Sequence, residues 1–111
     1  MTEKAVSRGL SELFGERLKT GKAIREQHGR DESFHRSYPP DCVIAVRSTE
    51  EVQHIVRLCA EHKVPVLPWG QGTSLEGQVA ALRGGVCIDM SEMNEVLRVN
   101  AEDLDAVVQP G

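Results

Sequence analysis

Aromatic side chains and long apolar runs are both scarce in this chain of 111 residues. It contains one Trp, one Tyr and two Phe, so that aromatic residues make up 4% of the sequence. No apolar stretch approaches the roughly 20 residues that a membrane-spanning helix needs, so we expect no transmembrane segment. A chain of this length buries only a small core, which indicates one small domain or a part of a larger protein.

Positive charge is also in deficit. Lys and Arg number 13 against 17 Asp and Glu, and the formal net charge is −4. Charges of one sign form no long run in the sequence. Because nucleic-acid-binding domains usually carry a basic patch or stripe, we expect no nucleic-acid partner.

Targeting signals are not recognisable at the N-terminus. Residues 1–7 have no apolar core and no small-residue cleavage site, and they are not rich in arginine, which disfavours a secretory signal and a mitochondrial presequence. The cysteines, Cys42, Cys59 and Cys87, are odd in number and each lies in an apolar pattern. This usage is typical of reduced thiols in a core, and we predict a cytoplasmic protein.

The first third of the chain predicts a helix followed by a polar segment. Apolar residues from Leu10 to Leu18 recur at helical spacing, which predicts an amphipathic helix over residues 8–20, closed by Gly21. Residues 22–38 carry both charge signs and little periodicity, and they predict a surface loop with at most a turn of helix. We treat residues 1–38 as a lead-in to the folded body.

A strand, a helix and a strand follow in quick succession. Residues 42–46 and 64–67 are short apolar runs that predict buried strands. Between them, Ser48-Thr49-Glu50-Glu51 is a capping box that opens an amphipathic helix with Ile55 and Cys59 on its apolar face. Such a βαβ unit places its two strands parallel with a right-handed crossover.

Further strands are predicted at residues 86–90, 96–99 and 106–109, the second as an edge strand. The fold class is therefore α/β (α+β), a small, mostly parallel sheet with flanking helices, formed by residues 39–111.

A glycine-rich loop directly after the second strand is the strongest functional signal. Gly70-Gln71-Gly72-Thr73-Ser74-Leu75-Glu76-Gly77 contains three glycines and two hydroxyls at the carboxyl end of a predicted parallel strand. Glycines let backbone N–H groups approach a phosphate closely, so the segment predicts a phosphate-binding loop. A connector without a ligand is the alternative.

Comparison with known loop patterns narrows the ligand. The P-loop requires a Lys where this chain has Gln78, and without that Lys the β- and γ-phosphates are not neutralised. The dinucleotide fingerprint requires a glycine where this chain has Leu75. A third pattern, Gly-x-Gly-Thr/His-Ser-x-x-Gly, whose amides and small hydroxyls contact a flavin pyrophosphate, fits throughout.

With this loop, the segments 27–33 (QHGRDES) and 39–41 (PPD) make the chain resemble a known family. From about Phe14 to Gly111 it is similar to the FAD-linked oxidoreductases of the vanillyl-alcohol oxidase/p-cresol methylhydroxylase (PCMH) type. Within that family it resembles the branch of D-lactate dehydrogenase (cytochrome) and the glycolate oxidase FAD subunit.

The resemblance implies a fold, a cofactor and a set of contacts. The chain would be an N-terminal fragment: the first of two subdomains of a PCMH-type FAD-binding domain, without the second subdomain and the substrate domain. The residues implied to contact FAD are Pro68, Trp69, Gly70, Gln71, Gly72, Thr73, Ser74, Gly77, Pro110 and Gly111. Members that hold FAD covalently from this loop have His where this chain has Thr73, so the flavin would be noncovalent.

The resemblance also implies an activity for the full-length protein. It would transfer a hydride from the α-carbon of a 2-hydroxy acid such as D-lactate or glycolate to FAD, and pass the electrons to an acceptor. The catalytic and metal-binding residues of the family lie downstream, so none is assigned here, and the fragment alone would be inactive. A half-site would leave the apolar face of the sheet open to water, and a homodimer would cover it.

Several other residues are candidates for a functional site. No His or Cys pair has a strong zinc spacing, and His54 and His62 are expected on the helix surface. His28 is expected to anchor the polar segment through Arg30 or Asp31 rather than to contact substrate. Glu76 is expected to face solvent, and Trp69 to fill the seam beneath the loop. The alternative function is a non-catalytic α/β module that binds another phosphate ligand or a protein.

Overall fold

The computed structural model describes the backbone from Thr2 to Gly111 and the side chains from Lys4 onward. Its elements, in chain order, are α1 (Thr2–Phe14), a 3-10 turn (Gly15–Arg17), β1 (Leu18–Lys19), α2 (Lys22–Gln27), β2 (Cys42–Ala45), α3 (Thr49–Glu61), β3 (Val66–Trp69), β4 (Val86–Asp89), β5 (Val96–Asn100) and β6 (Asp105–Val108). Within residues 2–111 no helix has the length and apolarity needed to cross a bilayer.

The main sheet has four strands in the order β1-β2-β4-β3. Strands β2, β4 and β3 are parallel, and the short β1 is antiparallel to β2. The predicted βαβ unit is present, but β2 and β3 are not neighbours, because β4 lies between them. Val43 and Leu67 are both in register with Cys87 of that central strand. The predicted α/β class with a small, mostly parallel sheet is confirmed.

The predicted start of α3 is confirmed in detail. Ser48 has an extended backbone, and its Oγ accepts the N–H of Glu51 at 3.3 Å. The Glu51 carboxylate reaches back to accept the N–H of Arg47 at 2.8 Å, and it also binds the Arg17 guanidinium at 2.7 Å. Glu51 therefore both caps α3 and ties it to the 3-10 turn that precedes β1.

The first helix differs from the prediction at both ends. Helix α1 begins at Thr2 and ends at Phe14, because Gly15 adopts a left-handed conformation with φ +55°. Leu18, predicted inside the helix, pairs with Ile44 in the main sheet, so strand pairing outweighs the helical spacing. Gly21 does not close a helix but precedes α2 with φ −61°.

Apolar side chains cover both faces of the main sheet. Leu10, Ile44 and Ile55 are fully buried in a cluster that joins α1 and α3 to one face. Val43 and Trp69 belong to a smaller cluster on the other face, since successive strand residues point to opposite sides. The expectation that this sheet leaves an apolar face open is therefore wrong.

Much of the exposed apolar surface lies instead on a separate hairpin. Strands β5 and β6 pair with each other and not with the main sheet, so the predicted edge strand over residues 96–99 belongs to a different sheet. Large apolar residues of this hairpin are exposed to solvent: Val96, Leu97, Val99, Leu104, Val107 and Val108.

The three cysteines are buried free thiols, as predicted. Cys42 and Cys87 lie in neighbouring strands of the core. Burial raises the pKa of each of these two thiols to about 12 and also raises the pKa of Cys59. Because the thiolate is the reactive form, the native chain should be nearly inert toward thiol reagents.

We expect Ellman's reagent to modify no cysteine of the native protein at about pH 8, and all three after unfolding. An Ala60→Cys variant, which adds a thiol at an exposed position of α3, serves as the matched control and should react at once. Release of the reagent's chromophore measures the reaction. Native wild-type protein reacting as fast as the control would contradict the buried placement.

Candidate functional site

The glycine-rich loop lies at the carboxyl edge of the main sheet. Ala45 and Trp69, the last residues of β2 and β3, are both in register with Asp89 at the end of β4. Residues 70–77 follow β3 directly. Ligands of α/β proteins usually bind at this edge, so the predicted placement of the loop is confirmed.

Nearly the whole loop presents backbone N–H donors without partners. Among the hydrogen bonds of the described residues, none is donated by a main-chain N–H of residues 70–76. The loop lines an open hollow of about 230 Å³ together with Pro68, Gln78 and Val79. A row of unpaired N–H groups around a hollow is suited to bind an anion, because these groups require an acceptor.

Two glycines of the loop have different structural roles. Gly72 has φ +70°, and a Cβ built there would lie 2.2 Å from Cη2 of Trp69, so no larger residue fits. At Gly70 the nearest atom to such a Cβ is the carbonyl oxygen of Pro110, at 3.7 Å. The structure thus brings Pro110 next to the loop. Trp69 is 8% exposed and supports the loop from beneath.

The second half of the loop is tied to Asp31. Its Oδ2 accepts hydrogen bonds from Ser74 Oγ and from the N–H of Gly77, both at 2.9 Å. Its Oδ1 accepts the N–H of Ser33 at 2.9 Å. The hydrogen bonds from Ser33, Ser74 and Gly77 lower the pKa of Asp31 from 3.8 to about 2. The Ser74 hydroxyl and the Gly77 amide, both implied FAD contacts, therefore already donate within the protein.

A buried ion pair lies beside the loop. His28 is 5% exposed; its Nδ1 is 2.8 Å from the carbonyl oxygen of Ile24, and its Nε2 is 2.8 Å from Asp89 Oδ2. Both partners accept hydrogen bonds, so both ring nitrogens must donate, which indicates an imidazolium paired with a carboxylate. The ring also contacts Trp69, with centroids 4.6 Å apart.

Burial and pairing act in opposite directions on the pKa of His28. Burial lowers it, but the hydrogen bond to Asp89, the bond to Ile24 and the Asp89 charge together outweigh burial, so the pKa lies above 6.5. For Asp89, burial raises the pKa, but the hydrogen bonds from His28 and Ser91 outweigh it and the pKa lies below 3.8. Both shifts favour the charged form of the group concerned.

Sequence reasoning identified the anchor residues but not their partners. His28 is a hydrogen-bonded anchor, as predicted, but it pairs with Asp89 rather than with Arg30 or Asp31. Asp31 instead holds the loop. The one available signal for Asp89 is its position as the acid that ends the apolar run of β4. Glu76 and His54 are exposed, as expected. In the part of the chain that the structure describes, no cluster of His, Cys, Asp and Glu is arranged to hold a metal ion.

We expect the melting temperature to fall as the pH rises from about 6 to about 9. The raised pKa of His28 means that its stabilisation is complete below about pH 6.5 and is lost as the pH rises through the folded-state pKa. His28→Gln should remove most of this decline, whereas His54→Gln, at an exposed position, should keep it. Thermal unfolding followed by circular dichroism measures both, and a parallel decline in wild type and His28→Gln would contradict the assignment.

Gly72→Ala should destabilise the fold by about 2 kcal/mol or more, since the left-handed backbone and the Trp69 contact both oppose a Cβ. Gly70→Ala, in the same loop with open space around it, is the matched control and should be nearly neutral. Trp69 is the single tryptophan, so its emission reports this contact directly. A red shift in Gly72→Ala alone is expected, and equal effects of the two substitutions would refute the different roles of these glycines.

Comparison with known proteins is consistent with this site. A family model described as "FAD binding domain" matches residues 40–111. Probable D-lactate dehydrogenase, mitochondrial, of Danio rerio is 47% identical over 98% of this chain and 22% of its own length. D-lactate dehydrogenase [cytochrome], mitochondrial, of Arabidopsis thaliana is 44% identical over 92% of this chain and 18% of its own length. Glycolate oxidase subunit GlcD of Bacillus subtilis is 37% identical over 100% of this chain and 24% of its own length. The chain thus spans about a fifth of the length of these relatives.

Solved structures share the fold. An alkyldihydroxyacetonephosphate synthase superposes with a TM-score of 0.79 at 30% identity, over 94% of this chain and 23% of that protein. p-Cresol methylhydroxylase with substrate bound superposes with a TM-score of 0.71 at 22% identity, over 90% of this chain and 20% of that protein. The resemblance to PCMH-type flavoenzymes is confirmed. Because the family model covers β2, β3, the glycine-rich loop and Pro110-Gly111, the chain belongs to the FAD binding domain family.

Proposed function

We propose that this chain forms the pyrophosphate-binding part of a flavin-dependent 2-hydroxy-acid dehydrogenase of the D-lactate or glycolate type. The observation that carries the proposal is the row of unpaired N–H groups over residues 70–76, at the carboxyl edge of the sheet and inside the matched region. D-lactate and glycolate are the hydroxy acids in the names of the relatives described above, and a further relative is named D-2-hydroxyglutarate dehydrogenase. FAD, when bound, would supply the redox chemistry by accepting a hydride from the substrate α-carbon.

The residues present fit a pyrophosphate. Main-chain N–H groups from Gly70 to Thr73 would donate to its oxygens, and hydrogen bonds from such donors to an anion are strong. Ser74 would contribute its N–H, since its hydroxyl donates to Asp31. Gly77 would close the turn, and Trp69 would support it.

The remaining implied contacts surround this row of donors. Pro68 lines the hollow. Pro110 lies beside Gly70 and, with Gly111, would border the flavin.

Noncovalent binding follows from the side chain at position 73. Thr73 is exposed, and its hydroxyl cannot form the histidyl bond that the resemblance associates with this position. The proposal therefore includes a flavin that acid precipitation releases completely into the supernatant. Flavin absorbance that stays with the precipitated protein would contradict it.

The rest of the enzymatic function is proposed for residues outside this chain. The substrate-binding and catalytic groups, and the contact with an electron acceptor, would lie in the remaining four fifths of an enzyme the size of the relatives. The chain by itself would turn over no hydroxy acid. The division into a lead-in, residues 1–38, and a first FAD-binding subdomain, residues 39–111, is part of the same proposal.

Assembly and location stay predictions. A homodimer would now be expected to use the exposed apolar residues of the β5–β6 hairpin, such as Leu97 and Val99. The cytoplasmic location rests on the N-terminal residues and on the reduced cysteines, whereas two of the relatives described above are named as mitochondrial. Imaging of a tagged protein in cells would decide between the two compartments.

Titration with three ligands tests the assignment of the loop. FAD and ADP both carry a pyrophosphate and should quench or shift Trp69 emission, with dissociation constants weaker than about 10 μM because half of the FAD surface stays uncovered. Riboflavin, which has no phosphate, should not bind. Gly72→Val should abolish binding of FAD and ADP, whereas Glu76→Gln, which changes an exposed loop acid, should not.

The same titration separates the alternatives. Binding of riboflavin as tight as that of FAD, or unchanged binding in Gly72→Val, would show that the loop is not the pyrophosphate site. Binding of inorganic phosphate as tight as that of FAD would favour the alternative, a module for phosphate ligands in general. Oxidation of D-lactate by the chain alone would contradict the proposal that catalysis needs further residues.

A further inference from the structure

Asp31 connects two segments that are distant in sequence. It lies in the polar stretch after α2, yet it accepts hydrogen bonds from Ser74 Oγ and Gly77 N–H, 43 and 46 residues further along the chain. Next to it, the N–H of Glu32 donates to the carbonyl oxygen of Ser74 at 3.0 Å. The loop is therefore held at Ser74 and Gly77 by one short segment.

The other contacts of this segment fix it to the body of the fold. The N–H of Tyr38 donates to the carbonyl oxygen of Gly29, and the N–H of Ala81 donates to the carbonyl oxygen of Tyr38. Oδ1 of Asp31 accepts the N–H of Ser33, which orients the carboxylate. Asp31 is thus a rigid acceptor rather than a mobile surface acid.

We propose that Asp31 is a positioning residue for the pyrophosphate loop, acting through Ser74 and Gly77 to hold the N–H groups of residues 70–73 toward the hollow. The inference rests on the proposed function of the loop. It assigns to Asp31 a role without contact to the ligand, since its carboxylate oxygens are engaged by donors of the protein. The low pKa of Asp31 keeps the carboxylate ionised throughout the neutral range.

The direction in which ADP affinity changes distinguishes a positioning role of Asp31 from an effect of its negative charge alone. A carboxylate near a pyrophosphate repels it, so removing that charge alone should strengthen ADP binding slightly. Removing the anchor should weaken binding, because the donors lose their fixed orientation. In Asp31→Asn the side chain has a single oxygen, which cannot accept hydrogen bonds from all three donors, Ser33, Ser74 and Gly77.

The experiment compares Asp31→Asn with Glu32→Gln in the full 111-residue chain. Glu32→Gln removes the same charge from the neighbouring, exposed residue and reports the effect of charge alone. We expect Asp31→Asn to weaken ADP and FAD binding roughly tenfold, and Glu32→Gln to leave it unchanged or slightly tighter. Ser74→Ala should also weaken ADP and FAD binding. The double variant of Asp31→Asn and Ser74→Ala should lose little more affinity than Asp31→Asn, because the two substitutions disrupt the same hydrogen bond. Equal affinities of Asp31→Asn and Glu32→Gln would overturn the inference.

Amide hydrogen exchange provides a readout that requires no ligand. The Gly77 N–H should exchange roughly tenfold faster in Asp31→Asn than in wild type or Glu32→Gln, while amides of β4 keep their protection. If wild type binds neither ADP nor FAD, the proposed function fails, and unchanged Gly77 exchange in Asp31→Asn would overturn the anchoring itself. Should Asp31→Asn not fold, Ser74→Ala tests the same bond from the loop side, and unchanged ADP binding in that variant would overturn the inference.

Discussion

The ion pair between His28 and Asp89 determines how the polar N-terminal segment joins the sheet. Asp89 ends the central strand, where the neighbouring strands β2 and β3 also end. His28 directly follows α2, and its ring bridges Ile24 to Asp89 while it contacts Trp69. Trp69 in turn lies against Gly72. One buried contact therefore fixes the helix, the sheet edge and the base of the loop together, which is why its protonation state matters for stability.

The loop combines an anchored half with a half whose donors have no partner. Ser74 and Gly77 are held by Asp31, whereas the main-chain N–H groups of residues 70–73, which border the hollow, donate no hydrogen bond within the described residues. Donors fixed in place before a ligand arrives bind it without a further loss of conformational entropy. Gly72 helps to hold the loop in place, because its left-handed backbone packs so closely on Trp69 that no residue with a Cβ fits there.

Local signals in the sequence predicted much of the fold, and long-range pairing accounts for the rest. The Ser48 cap, the βαβ unit and the glycine-rich loop each depend on residues close in sequence, and each was found as predicted. The insertion of β4 between β2 and β3 and the pairing of Leu18 with Ile44 depend on contacts between distant residues, which periodicity does not report.

The same limit applies to the site. The glycines and hydroxyls of the loop were visible in the sequence, but the acids that organise it were not. The sequence placed Asp31 and His28 in one polar segment, and their partners at positions 74, 77 and 89 follow only from the topology.

The charges around the loop are compatible with the proposed anion site, although the chain as a whole is acidic. Asp89, which is in register with Trp69 at the start of the loop, is paired with His28, and this partner offsets its charge when the imidazole is protonated. Asp31 keeps its charge, and its oxygens are directed at donors of the protein rather than at the ligand. Since no Lys or Arg lies within residues 70–77, main-chain N–H groups would supply the attraction that the loop itself offers to the proposed ligand. Such donors act over short distances and depend on geometry, so affinity for a phosphate here depends more on how the loop is held than on the net charge of −4.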